Sequence, residues 1–332
     1  MSVLAPDHAG VRDRWLTALA ELVPVPPGYR NESIDRIGAL DILRCDDAML
    51  TDLVEHGLPS AGGELFDRYD LFNLALYSGT GKSAPETGIR YALRWMGREP
   101  DTWFAEREWN LSVELFCPRP DGCRPGPTWS AARPEPEAFG GQTLRLDTAP
   151  AGQADRFALT AEIVTRGERR ELCSDQLREI VGEYTTGSHR WVRLPVELQA
   201  RPELVLPHGV APCISVSLDL AAKCRAAGFD ARTRRGWILG MLDLAHAWLE
   251  VVDTDGQVKV IDPVFALLAD HADAAHPQFR QACAGSRFNR LLPSCNAADE
   301  PLFRHHCGGE GLTPATRTTV RSARSGRCAE GS

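Results

Sequence analysis

Between residues 207 and 265 the sequence reads PHGVAPCISVSLDLAAKCRAAGFDARTRRGWILGMLDLAHAWLEVVDTDGQVKVIDPVF. Gly209 and Pro212 break the chain just before Cys213. From Cys213 onward, apolar residues recur at Ile214, Val216, Leu218, Leu220, Ala221 and Cys224, and Gly228 stands where a helix C-terminal cap belongs. The spacing predicts a buried helix of about fifteen residues with Cys213 at its N-terminus. A strand is expected over residues 229–237. The segment Ala245–Val252 then alternates, with His246, Trp248 and Glu250 on one face and Ala247, Leu249 and Val251 on the other. Asp255-Gly256 marks a hairpin turn, and a return strand over 258–262 is stopped by Pro263.

Register decides whether His246 and Asp262 can meet. A two-residue loop would oppose Leu249 to Asp262 and send His246 and Asp262 to opposite faces. A three-residue loop over 254–256, with Gly256 left-handed, opposes Trp248 to Asp262 and sets His246 diagonally from Asp262 on the same face. The three-residue loop is expected.

The position of Cys213 carries a chemical consequence. A helix N-terminus offers unpaired N–H groups and partial positive charge, which favour the thiolate over the thiol. Cys224, deep in the same helix, has no such help and reads as packing. A thiol at a helix start, a His on one strand and an Asp on the next follow the nucleophile–base–orienter logic of acyl transfer. Cys213 would attack an acyl carbon, His246 would hold the thiolate and protonate the leaving group, and Asp262 would fix the imidazole. Trp248 reads as packing beside this set, and His208 as a loop histidine.

The order Cys-helix, Ala-Gly-Phe-x-Ala-Arg, His-Ala-Trp-x-Glu-Val and Asp-Pro over residues 213–263 resembles the core of the transglutaminase-like branch of the papain-like cysteine enzymes. The resemblance covers about a sixth of the chain. It implies an α+β fold in which the helix bearing the cysteine packs on an antiparallel sheet, with Cys213 as nucleophile, His246 as base and Asp262 as orienter. The chain lacks the β-sandwich and barrel domains and the acidic calcium loop of the eukaryotic enzymes. Its layout is closer to bacterial stand-alone homologues that form amide bonds in peptide-antibiotic pathways, of the andrimid-pathway type. That resemblance implies a thioester acyl-enzyme, an acyl- or peptidyl-carrier protein thioester as donor, a small amine as acceptor, and no cofactor. Hydrolysis of a peptide or amide by the same residues is the alternative. A non-catalytic binding protein on the same fold is a third reading.

The remainder is organised around that core. Residues 1–117 read as mainly helical, with helices over 9–23, 33–57 and 84–96 and a strand over 109–116. Residues 118–141 carry six prolines and four glycines, too many for a helix or a central strand, and read as a loop, linker or cover over the active site. Residues 142–310 form the catalytic core, with strand-like sequence over 142–164 and a helix capped by Ser174. Residues 311–332, with Arg317, Arg321, Arg324 and Arg327 among Thr, Ser and Gly, lack an apolar period and are expected to be a disordered tail. Arg232, Arg234 and Arg235 read as a solvated strand face, or else as a local basic patch for a carrier protein.

The net charge of −8 disfavours a nucleic-acid partner, and no apolar run is long enough for a membrane span. Ten irregularly spaced cysteines without a secretory signal are read as free thiols in the cytoplasm. Cys283, Cys295, His305, His306 and Cys307 are zinc-ligand types, but their spacing lacks short paired knuckles, and adjacent His305 and His306 cannot point the same way on a strand. They are read as part of a C-terminal extension capping the core, and no metal is expected. Another reading brings His305 or His306 to the substrate pocket.

Overall fold

Side-chain caps divide the N-terminal third into short helices. Asp35 caps Arg36–Leu43, Asp46 caps Asp47–Glu55, and Asp67 caps Arg68–Tyr77. Ser83 and Glu86 form a reciprocal capping box for Ala84–Leu93, with Pro85 in the first turn. The pattern read as one helix over 33–57 is therefore two helices behind a short strand. Arg44, at φ +53°, ends the first helix and the Asp46 cap starts the second. With His8–Ala20 the first three of these helices bury Trp15, Leu43, Leu50, Leu53, Phe66, Leu71 and Leu74 as a core of their own, whereas Ala84–Leu93 buries Ile89 and Leu93 in the main core. The computed structural model describes residues 8–119, 121–124, 126–148, 155–241 and 245–322.

The α+β class holds, with the larger sheets antiparallel throughout. The central sheet has five strands in the order Ala284–Gly285, Val258–Ile261, Ala245–Val252, Ala231–Ile238 and Leu291–Pro293. The helix Cys213–Ala226 packs on it, burying Ile214 against Ala247. Leu249 pairs with Ile261, so Trp248 stands opposite Asp262. The Asp253 N–H bonds the Gln257 carbonyl at 3.0 Å and leaves a loop of 254–256, with Gly256 at φ +73°. This is the expected register. Gly236 lies opposite His246, and a side chain there would meet the Leu292 carbonyl at 2.1 Å. Glycine thus lets the Leu291–Pro293 strand approach next to the site.

The strands on either side of the segment 118–141 belong to one sheet. The strand Arg107–Phe116, which precedes it, pairs along its length with Arg156–Thr165, which follows it. Within the segment, Thr128–Ala131 is an edge strand on Phe303–Cys307, and Pro136–Phe139 is a 3-10 turn whose Phe139 packs on Trp248. Four residues free of proline suffice for an edge strand, which tolerates proline around it. The described residues of the segment pack on the Phe303–Cys307 strand and on Trp248.

The tail is also corrected. Ala315–Ser322 forms the outer strand of a four-stranded sheet, paired with Arg107–Phe116. Thr316, Thr318 and Val320 stand opposite Leu115, Val113 and Leu111 and share their face. An edge strand dense in β-branched residues needs no full apolar period. Arg317 pairs with Glu114 at 3.7 Å, while Arg324 and Arg327 lie outside the described residues. Among the described residues no helix is long and apolar enough to cross a membrane.

Candidate active site

Cys213 is the first residue of its helix. The N-cap is Pro212, whose carbonyl takes the Val216 N–H at 3.1 Å and which has no side chain to cap the first turn. The N–H groups of Cys213, Ile214 and Ser215 therefore stand free of intrahelical partners beside the thiol. His246 is buried near the start of the adjoining strand, and its Nε2 lies 2.6 Å from Asp262 Oδ2. The other carboxylate oxygen of Asp262 accepts the Phe265 N–H at 3.2 Å, capping the helix Pro263–Leu268. The carboxylate is thus held from two sides. The His246 ring stacks on Phe265 with centroids 5.0 Å apart and planes 13° apart. Its remaining nitrogen, Nδ1, is left for the thiol.

Burial alone would push the Cys213 thiol up. The His246 side chain, the charge of Arg235 and the Ala247 N–H outweigh burial, and the net shift is downward. Burial alone would also push His246 down. The Asp262 carboxylate and then Cys213 outweigh it, and the net shift is upward. A thiol drawn down beside an imidazole drawn up is the condition for a thiolate–imidazolium pair at neutral pH.

Three neighbours were missed in the sequence. The Gln199 carboxamide ends the single turn Val196–Gln199, with Oε1 3.9 Å from Cys213 Sγ and Nε2 bonded to the Leu194 carbonyl at 2.7 Å. Nothing in its spacing from Cys213 marks it. Arg235 is buried on the Ala247 side of the sheet; burial lowers its pKa and Cys213 pulls it back up. Arg193 sits over the Phe72 ring at 5.0 Å and also feels the Cys213 charge. Among the described residues neither arginine has an ion-pair partner. The expected solvated face of Arg232, Arg234 and Arg235 is corrected accordingly. Arg232 and Arg234 clamp the buried Glu250 at 2.7 and 2.9 Å, and Arg235 faces the other side of the sheet. The three do not form one docking patch.

Trp248 is buried packing, as expected, and Cys224 is buried within its helix. His208 is exposed, and no hydrogen bond or ion pair joins it to Cys213. The five residues considered for zinc do not come together as one set. The Cys283 carbonyl accepts the Asp262 N–H at 2.9 Å, Cys295 and His306 are exposed, and His305 and Cys307 are buried elsewhere. The described cysteines are unbridged.

No protein-family model and no curated protein matches this chain. One solved structure, from Cytophaga hutchinsonii and provisionally named as a cysteine protease, aligns with a TM-score of 0.42 at 12% identity, over 66% of this chain and 91% of that one. A likeness of that size carries no argument about either fold or function.

Proposed function

We propose that this chain is a cysteine-dependent acyl-transfer enzyme that works through a thioester on Cys213. The observation that carries the reading is the buried His246–Asp262 pair at 2.6 Å, joined to a thiol at a helix N-terminus that is drawn toward its thiolate. The Cys213 thiolate adds to the acyl carbon of a thioester donor, and its electrons pass to the carbonyl oxygen. The free first-turn N–H groups are the donors nearest that oxyanion. When the C=O double bond re-forms, the bond to the donor sulfur breaks, and the donor thiolate leaves and takes the proton of the His246 imidazolium. An incoming amine then adds to acyl-Cys213 and gives its proton to His246, and the Cys213 thiolate is expelled. Asp262 fixes the ring so that Nδ1 faces sulfur.

The resemblance carried by residues 213–263 supports a small amine as acceptor and a carrier-protein thioester as donor, in a biosynthetic setting and in the cytoplasm. Arg193 and Arg235, two cations near the thiol that have no carboxylate partner among the described residues, support a donor that bears negative charge, as a carrier's phosphate-linked arm does. The test is intact-protein mass spectrometry with a panel of acyl thioesters, with Cys213→Ala as control. An adduct on the wild type alone, discharged by amines to the amide, is expected. An adduct that discharges only to the free acid, whatever amine is supplied, would make the enzyme a hydrolase. An inert Cys213 would end the reading.

A further inference from the structure

Away from Cys213, two segments distant in sequence bring four metal-ligand side chains together. Cys117 and Cys123 come from the loop after the strand Arg107–Phe116, and His305 and Cys307 from the strand Phe303–Cys307. Their three sulfurs and the ring nitrogen all lie within 4.8 Å of one another, with Cys123 Sγ 3.3 Å from His305 Nε2. Ligands at about 2.3 Å from a tetrahedral zinc stand roughly 3.8 Å apart. We infer that Cys117, Cys123, His305 and Cys307 form a structural zinc site.

The surroundings suit a metal. His305 Nδ1 is 3.1 Å from the Thr128 carbonyl, which fixes the proton there and frees Nε2 as a neutral ligand. The ring is stacked on Trp129 with centroids 3.7 Å apart, so it has one orientation. Cys307 Sγ accepts the Arg124 N–H at 2.9 Å, a donor that compensates thiolate charge. Gly308 follows Cys307 at φ +62°, and a side chain on it would strike Arg124. Three thiolates and a neutral imidazole around Zn²⁺ leave one negative charge; on binding, each thiol releases its proton. Sulfur-rich four-coordination selects zinc over magnesium or calcium and leaves no open position for catalysis. The site would tie the loop at 117–124 to the Phe303–Cys307 strand. The other grouping of potential ligands, Cys173, Asp253 and Asp255, already holds a cation, because Lys259 Nζ is 2.6 Å from Asp255.

The test is metal analysis of the full chain purified without chelator, followed by cobalt substitution. One zinc per chain is expected, falling at least tenfold in Cys123→Ser and Cys307→Ser but not in Cys295→Ser, whose thiol is exposed outside the cluster. Cobalt in the wild type should give thiolate charge-transfer bands and tetrahedral d–d bands. Should both Ser variants fail to fold, chelation of the wild type serves instead, releasing zinc together with three newly titratable thiols. Wild-type chain that binds no zinc when refolded with an equivalent of it overturns the site. So does undiminished zinc in folded Cys307→Ser, or a disulfide between any two of the three cysteines.

Discussion

Among the described residues His246 and His305 each stand against cysteine sulfur, and the second nitrogen of each ring explains why the two places differ. His246 is held through Nε2 by a carboxylate, Asp262, at 2.6 Å; His305 is held through Nδ1 by a carbonyl, that of Thr128, at 3.1 Å. A carboxylate stabilises the positive ring and so promotes an ion pair with a thiolate. A carbonyl fixes the tautomer without favouring the cation, and a neutral imidazole is what a metal needs. The proposed roles follow the same division: one thiol beside the free first turn of a helix suits a nucleophile, whereas three thiols around a ring nitrogen suit a cage. Residue type alone does not separate these outcomes; the partner behind the ring does.

The sharpest way to break this comparison is Cys213→Ala. Acylation by thioesters should fall by about a thousandfold or more, with the near-ultraviolet circular dichroism unchanged. Residual turnover within tenfold of wild type would remove the nucleophile from its role. Next in size is Asp262→Asn, which replaces the carboxylate behind His246 by an amide. The single-turnover acylation rate should drop by about a hundredfold to ten-thousandfold. Asn caps a helix about as well as Asp, so the cap of Pro263–Leu268 is kept and the loss of rate reports on the carboxylate.

A pH profile tests the direction of the shifts. His246 lowers the Cys213 pKa, so wild-type alkylation by iodoacetamide should persist as pH falls below the ordinary thiol value of about 8.5. In His246→Ala only burial and more distant charges remain, and the onset should move upward, lowering the rate at pH 7 by roughly tenfold. An unshifted onset would show that the imidazole does not set the thiolate. Gln199→Ala should cost about tenfold in kcat with KM little changed, because the carboxamide lies beside the sulfur and must turn over to donate to an anion. The smallest effect belongs to Cys295→Ser. This exposed thiol belongs to neither cluster, and stability should stay within about 0.5 kcal/mol in chemical denaturation.

What could be read from the sequence was local. Helix start, strand alternation and the Asp255-Gly256 turn all act over a few residues, and together they put His246 and Asp262 in register before any tertiary fact was needed. The alternation of His305 and His306 was likewise readable, and it sends one ring inward and the other to solvent. The partners were not readable. Cys283 and Cys295 look like companions of His305 because they are near in sequence, yet the sulfurs that meet His305 Nε2 include two from residues almost two hundred positions earlier. Antiparallel pairing of the strands around the 118–141 segment brings them there, and no short-range pattern encodes it. The strand at Ala315–Ser322 was hidden for a related reason: most of its side chains face water, and its order comes from backbone bonds to a neighbour far back in the chain. Gln199 sits in a proline-bounded single turn that carries no periodic signal at all.

The pairing of Trp109 with Ser322 has a consequence for synthesis. The two residues leave the ribosome some two hundred residues apart, which at about 5–20 residues per second is roughly 10 to 40 seconds. The helices that bury Trp15, Leu50 and Leu71 draw on consecutive sequence and can close early. The strand Arg107–Phe116 gains its neighbour at Arg156–Thr165 soon after, but its other edge waits for the final strand to emerge. During that interval an open edge carrying Leu111, Val113 and Leu115 is available to other nascent chains. Cys117 and Cys123 wait over the same period for His305 and Cys307. Translation speed and chaperone cover therefore bear more on the strands that wait for Ala315–Ser322 than on the N-terminal helices.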